Sequence, residues 1–194
     1  MEETARPPGA GKSSIDLVDL ELLFGMMGLK GSTVFLDLGC GRGDYLFAAA
    51  ERIGPSGYLY GVDAWEEAVV AVREKARNRG YSNVQAILAD VTSGVPLPSQ
   101  SVDICLMGTV LHDFNRRITT GGGEEALKET ERILKPGGIL AVVEFKKIEG
   151  PPGPPVAIRL APADVEAMGR AFGFIRQGLS DLGLYTYVVI FVKP

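Results

Sequence analysis

A doubly wound α/β domain, with a seven-stranded and mostly parallel sheet whose last strand is reversed, is predicted by three features of the sequence. Apolar runs of strand length alternate with longer stretches of helical spacing from residue 33 to residue 145. This is the rhythm of a parallel sheet covered on both faces by right-handed crossovers. The runs are nearly continuous in apolar residues, as burial on both faces demands. Only residues 180–184 separate the last two runs, too few for the crossover that a parallel pair needs, so these two are expected to be antiparallel.

The elements follow in order. Residues 1–14 are rich in Pro, Gly and Ser and read as a mobile leader. Within them, Gly11-Lys12-Ser13 lacks what a phosphate-binding loop requires: Arg6 stands where its first glycine belongs, and no apolar strand precedes it. Residues 15–28 carry Ile15, Leu17, Val18, Leu22, Leu23, Met26 and Met27 at helical spacing and end in glycine, which predicts one amphipathic helix. Strands are expected over 33–38, 58–63, 84–89, 102–107 and 139–145, with helices over 45–52, 66–79 and 124–134, each stopped by glycine or a Gly/Pro cluster. A Pro/Gly linker over 150–155, a short helix over 164–172 and strands over 174–179 and 185–192 complete a single domain over 15–194.

Composition narrows the function. The chain has 194 residues, 46% hydrophobic and 23% charged, enough for one sizeable core. Twenty Lys and Arg against 24 Asp and Glu give a net charge of −4, which disfavours a nucleic-acid partner because no basic surplus is present to displace counterions. Cys40 and Cys105 are too few for a disulfide framework and lack metal-ligand spacing, so no metal is expected and a reducing, cytoplasmic setting fits. No apolar run approaches the roughly 18 residues of a spanning helix, and the acidic start Met1-Glu2-Glu3-Thr4 is unlike a signal peptide. No membrane association is expected.

The chemistry is concentrated at the strand ends. In Val34-Phe35-Leu36-Asp37-Leu38-Gly39-Cys40-Gly41-Arg42-Gly43 a buried strand runs into three glycines at alternate positions, and a helix then begins. Glycines there allow a tight turn and let a ligand touch backbone, and the helix start offers unpaired N–H groups. Nicotinamide and flavin enzymes carry a similar turn, but Asp44 stands where their third small residue belongs, and a carboxylate is a poor neighbour for a pyrophosphate. Asp37 likewise suits a cationic group. The second strand ends at Asp63, where a carboxylate can accept both hydroxyls of a ribose. The third ends at Ala89-Asp90-Val91, suited to an amino-purine edge, and the fourth at Met107-Gly108. In open α/β sheets ligands sit beyond these ends, at the switch point. The arrangement fits a ligand with a positive charge, a ribose and an adenine but no phosphate.

On these residues the chain resembles the class I S-adenosylmethionine-dependent methyltransferases, whose fold is Rossmann-like, over roughly residues 15–194. Leu36-Asp37-Leu38-Gly39-Cys40-Gly41-Arg42-Gly43 matches the first motif of that family, Asp63 its ribose-binding acid and Asp90 the acid near the adenine amino group. Leu134-Lys135-Pro136-Gly137-Gly138 matches the turn before its fifth strand. The resemblance implies S-adenosyl-L-methionine as cofactor, held by Asp37, Gly39, Cys40, Gly41, Gly43, Asp63, Ala64, Asp90, Val91 and Met107. Leu111-His112-Asp113-Phe114 and Gly150-Pro151-Pro152 resemble the small-molecule branch that includes ubiquinone- and arsenite-type enzymes; with only Cys40 and Cys105 as thiols, the arsenite type is disfavoured. The Asn/Asp-Pro-Pro-Tyr tetrapeptide of the nitrogen methyltransferases is missing, as is a Pro-Cys after the fourth strand.

The implied reaction is in-line displacement at a sulfonium methyl, on a small-molecule acceptor. His112, the single histidine, lies just past the fourth strand and is the candidate general base, with Asp113 able to orient it or to cap a turn. Glu144 faces either the acceptor or solvent, and Tyr45 and Trp65 either flank the cofactor or pack. The acceptor pocket is expected from the helix over 15–28, the loop over 109–123 and the linker over 146–159, whose Gly and Pro content suits a moving lid. Two alternatives stay open: an NAD(P)-dependent oxidoreductase, and a cofactor-binding module without catalysis.

Overall fold

The computed structural model describes residues 11–116 and 122–194. Seven strands form one sheet in the order β3-β2-β1-β4-β5-β7-β6: β1 (Val34–Leu38), β2 (Tyr58–Asp63), β3 (Val84–Leu88), β4 (Val102–Gly108), β5 (Leu134–Phe145), β6 (Ile175–Asp181) and β7 (Thr186–Val192). The first five pair in parallel. β7 runs antiparallel to both β5 and β6, so the expected reversed strand is present.

Helices α1 (Leu20–Met27), α2 (Asp44–Ile53) and α3 (Glu66–Asn78) cover one face, and α4 (Leu111–Arg116), α5 (Gly122–Ile133) and α6 (Pro162–Ala171) the other. Period-two alternation divides the core between the faces. Phe35 packs with Leu46, Phe47 and Val72 on the first, while its neighbour Leu36 packs with Leu127, Leu140 and Val165 on the second. Among the described residues no helix is long and apolar enough to cross a membrane.

Three local expectations are corrected. The helix over 15–28 is split into a 3-10 turn, Ile15–Leu17, and α1, because the Asp19 carboxylate accepts the Leu22 N–H at 3.0 Å and starts a new helix there. The stretch after β4, read as a loop, contains α4. The Lys-Pro-Gly-Gly turn does not separate α5 from its strand: β5 begins at Leu134, pairs with Val102, and resumes at Ile139 opposite Ile104, with the intervening residues looped out as an irregularity in the ladder.

The leader also differs. Ser14 is buried, its hydroxyl bonded to Tyr45 Oη at 2.8 Å and to Thr109 Oγ1 at 2.9 Å, so the packed chain reaches back past residue 15. Residues 1–10 of the leader, and 117–121 of the stretch 109–123, lie outside the described residues.

Candidate active site

Strands β2 and β3 run to one side of β1, and β4 and β5 to the other, so the carboxyl ends of β1 and β4 flank the switch point. There β1 passes into its glycine turn. The Gly39 and Cys40 N–H groups both donate to the Val62 carbonyl, at 2.8 and 3.0 Å, which clamps the turn against β2. Gly39, Gly41 and Gly43 all have positive φ. A Cβ on Gly39 would stand 2.6 Å from Val110 Cγ2, whereas one on Gly41 would meet nothing within 4 Å: the space over Gly41 is open.

That space is a cleft whose walls include Gly39, Gly41, Asp63, Ala64, Asp90 and Val91. Asp63 holds it in shape, accepting the Gly41 N–H at 2.7 Å through one oxygen and the Trp65 N–H at 2.9 Å through the other. Burial raises its pKa against the pull of these donors. Asp90 is also a cap: its Oδ1 accepts from Thr92 N and Thr92 Oγ1, at 3.0 and 2.8 Å. The two acids are thus structural caps as well as wall residues, and one role does not exclude the other.

Four of the expected residues are not in the cleft wall. Met107 is fully buried in the sheet. Cys40 is buried with its thiol 3.6 Å from the Gly41 carbonyl oxygen, and Gly43 is the N-cap of α2, packed against Phe47 and Val72. Asp37 lies beneath the turn, 1% exposed, and its Oδ2 has no hydrogen-bond partner among the described residues. Burial above all, then the Asp63 and Asp44 charges, push its pKa up to about 8, against the Leu46 N–H, which pulls it down. A buried carboxyl oxygen without a partner is costly and fits a place where a ligand's donor or charge belongs.

A second cavity adjoins the cleft at Lys12, Thr109 and Asp113. The cleft measures about 130 Å³ and the cavity about 480 Å³, together within the roughly 300–1,000 Å³ of small-molecule sites. Thr109, at the junction, holds φ 55°, a left-handed conformation that costs a β-branched residue and tends to cluster at functional sites. His112 belongs to the cavity wall, as expected, but it is only 4% exposed. Glu144 faces neither solvent nor the cavity wall: it is fully buried, and its carboxylate receives His112 Nδ1 at 2.8 Å. Tyr45 is packing, bonded to Ser14, while Trp65 is in the cleft wall.

Sequence reasoning missed two contributors. Lys12 lines both spaces, although it falls in the segment read as leader. Arg159 is 2% exposed and organises the Pro/Gly linker. Its guanidinium donates to five carbonyl oxygens, those of Lys146, Ile148, Gly150, Pro152 and Pro154, at 2.8 to 3.0 Å. The linker, whose Pro152 to Pro155 wall the second cavity, is therefore pinned by every N–H of a buried side chain and is not built as a moving lid.

The comparisons with known proteins agree with this geometry. A family model described as a methyltransferase domain matches residues 29–166. The demethylmenaquinone methyltransferase of Anoxybacillus flavithermus is 32% identical over 118 residues, 61% of this chain and 47% of that protein. The enzyme of the same description from Geobacillus stearothermophilus is 35% identical over 109 residues, 56% of this chain and 44% of that protein. The match thus spans about half the length of these relatives. Among solved structures, an S-adenosylmethionine-dependent methyltransferase from Aquifex aeolicus superposes with a TM-score of 0.84 at 27% identity, covering 97% of this chain and 95% of that one. The [4+2]-cyclase SpnF shares the fold alone, with a TM-score of 0.74 at 21% identity over 90% of this chain and 79% of that one. Strand order, reversed β7 and glycine turn, with a family model over most of the chain, answer the oxidoreductase alternative: this chain belongs to the S-adenosylmethionine-dependent methyltransferases of the class I fold.

Proposed function

We propose that the chain transfers the methyl group of S-adenosylmethionine to a small-molecule acceptor held in the second cavity. One observation carries the reading: the orphaned Oδ2 of buried Asp37 lies beneath a glycine turn that opens on a cleft walled by two further strand-end acids. A cation-bearing nucleoside answers all three. Its charge would relieve Asp37, its ribose hydroxyls suit Asp63, and its adenine edge suits Asp90 and the backbone at Val91, with Ala64 and Gly41 lining the same cleft. Cys40, Gly43 and Met107 would act from behind the wall, by fixing the turn and floor.

The bound cofactor supplies an already activated sulfonium methyl. The protein's share is to align the acceptor and exclude water, a positional effect worth several kcal/mol; His112 serves as the proton acceptor. The demethylmenaquinone methyltransferases among the relatives support a small-molecule acceptor, and the acidic net charge supports the absence of a nucleic-acid partner. The free thiols of Cys40 and Cys105 favour a reducing cytoplasm.

Calorimetry with S-adenosylmethionine, followed by transfer of a tritiated methyl group into a small-molecule extract, RNA or protein, tests the reading. Binding with label in the small-molecule fraction supports it. Absence of binding refutes it, and binding without label in any fraction leaves the non-catalytic module as the correct description.

A further inference from the structure

The cleft wall at Ala89, Asp90 and Val91 belongs to a crossover built unlike its neighbours. Among the described residues, the chain between β3 and β4 holds one 3-10 turn, Val91–Ser93, and no α-helix, whereas the connections that follow β1, β2 and β4 each hold at least one. The turn is capped by Asp90 and left through Gly94, at φ 100°. Its anchor comes from another helix. On α5, Arg132 donates to both oxygens of Glu129, at 2.6 and 2.8 Å. Glu129 Oε1 accepts the Val95 N–H at 2.7 Å, and Arg132 Nη2 donates to the Val95 carbonyl oxygen at 3.0 Å. Arg132 Nη1 donates to the Leu97 carbonyl oxygen at 3.0 Å and to Ser99 Oγ at 3.2 Å. One ion pair thus takes both main-chain groups of Val95, as a neighbouring strand would. The bond between them lowers the pKa of Glu129 against its burial and raises that of Arg132, so both stay charged.

A partly exposed ion pair within one helix is worth little by itself; the role of this one lies in what it holds. Val91 stands four residues before Val95. The Gly94 N–H closes back on the Val91 carbonyl oxygen at 3.3 Å, and the Ser93 N–H on that of Asp90 at 2.9 Å, so a shift at Val95 is passed to both wall residues. A 6-amino purine donates at N6 and accepts at N1, and a 6-oxo purine has these roles reversed. A carboxylate beside main-chain groups tells the two apart only while their spacing is kept, because the wrong base then leaves polar groups unpaired. We infer that Glu129 and Arg132 are positioning residues for base recognition: by fixing Val95 they hold Asp90 and the Val91 backbone where a 6-amino purine is accepted and a 6-oxo purine refused. The inference rests on the placement of the adenine proposed above.

Calorimetry with S-adenosylhomocysteine and S-inosylhomocysteine, which differ only in that purine position, gives a ratio of affinities. The wild type is expected to favour the adenine compound strongly. Glu129→Ala and Arg132→Ala are expected to lower the ratio tenfold or more, within the roughly 100-fold that a misplacement of about 1 Å can cost. Glu129→Gln, which keeps an acceptor for the Val95 N–H, falls between. Lys193→Ala is the control for stability alone: its ammonium donates to the Glu131 and Leu134 carbonyl oxygens at 2.6 and 3.0 Å, at the far end of α5, so its loss lowers the melting temperature and leaves the ratio unchanged. A ratio unchanged in Glu129→Ala, or one that falls as much in Lys193→Ala, overturns the inference. Hydrogen exchange on the unmutated, ligand-free protein needs no variant: the Val95 amide is expected to exchange slowly, and exchange at the rate of an open loop overturns the inference too. Equal affinity of the wild type for both compounds defeats the inference alone, whereas no binding of either refutes the methyl-transfer reading with it.

Discussion

The Asp63 carboxylate at the end of β2 accepts the N–H of Gly41, in the turn that follows β1, at 2.7 Å, so the residue suited to a ribose also fixes the glycine turn beside it. Two functions therefore fail together when it is lost. Asp63→Ala removes two hydrogen bonds to a charged acceptor, each worth roughly 1.5–3 kcal/mol. The expected outcome is a lower melting temperature and at least a tenfold loss of S-adenosylmethionine affinity by calorimetry. Asp63→Asn, which keeps one acceptor oxygen, is expected to fall between.

Asp37 is expected to make ligand binding pH-dependent. Its carboxyl is raised from 3.8 to about 8 by burial, with the Asp63 and Asp44 charges adding to it. Between those values the unfolded chain has lost the proton and the folded chain keeps it. Folding thus takes up a proton, and the stability of the ligand-free protein falls as pH rises from about 4 to 8, then levels. A cationic ligand favours the ionised form, so its binding releases the proton and strengthens as pH rises toward 8. Calorimetry in two buffers of different ionisation enthalpy is expected to show proton release below pH 8, and Asp37→Asn to show none.

Much of this site was legible from the chain alone, because it lies where local pattern and topology coincide. The glycine turn, Asp63 and Asp90 each sit at the end of an apolar run, and parallel pairing brings such ends to one edge. What escaped depends on partners distant in sequence. The His112–Glu144 pair joins residues 32 apart, and Arg159 reaches back to carbonyls 5 to 13 residues earlier. Neither leaves a periodic trace. Asp19 was visible, but its cap competes with an apolar pattern that reads straight through it. Lys12 was set aside with the leader because nothing local ties it to a cleft built by β1, β2 and β3.

The pinned linker gives a third expectation. Arg159→Ala leaves five carbonyls without their donor. Since such bonds do not add, the loss of stability is expected to be about 3–5 kcal/mol, the scale of breaking a buried charged network. Limited trypsin digestion checks the local part of the effect. The bonds that Lys146 and Lys147 offer are expected to resist in the wild type and to cut early in the variant, while S-adenosylmethionine binding, made at the other end of the site, is retained.

The glycine turn separates folding from binding. Gly39 and Gly41 both hold positive φ, at 77° and 51°, and alanine in the left-handed region costs roughly 1–2 kcal/mol at either. Their surroundings differ. A methyl at Gly39 meets Val110 at 2.6 Å and must push the start of α4 aside, whereas one at Gly41 meets no protein atom within 4 Å and enters the cleft. Gly39→Ala is therefore expected to lower the melting temperature markedly and to weaken ligand binding as a consequence. Gly41→Ala is expected to melt within a few degrees of the wild type and yet lose S-adenosylmethionine binding by tenfold or more, because the methyl occupies the space the ligand needs. A paired measurement of melting and calorimetry on the two variants checks this. Equal loss of binding per degree of melting in both would mean that the space over Gly41 is not where the ligand lies.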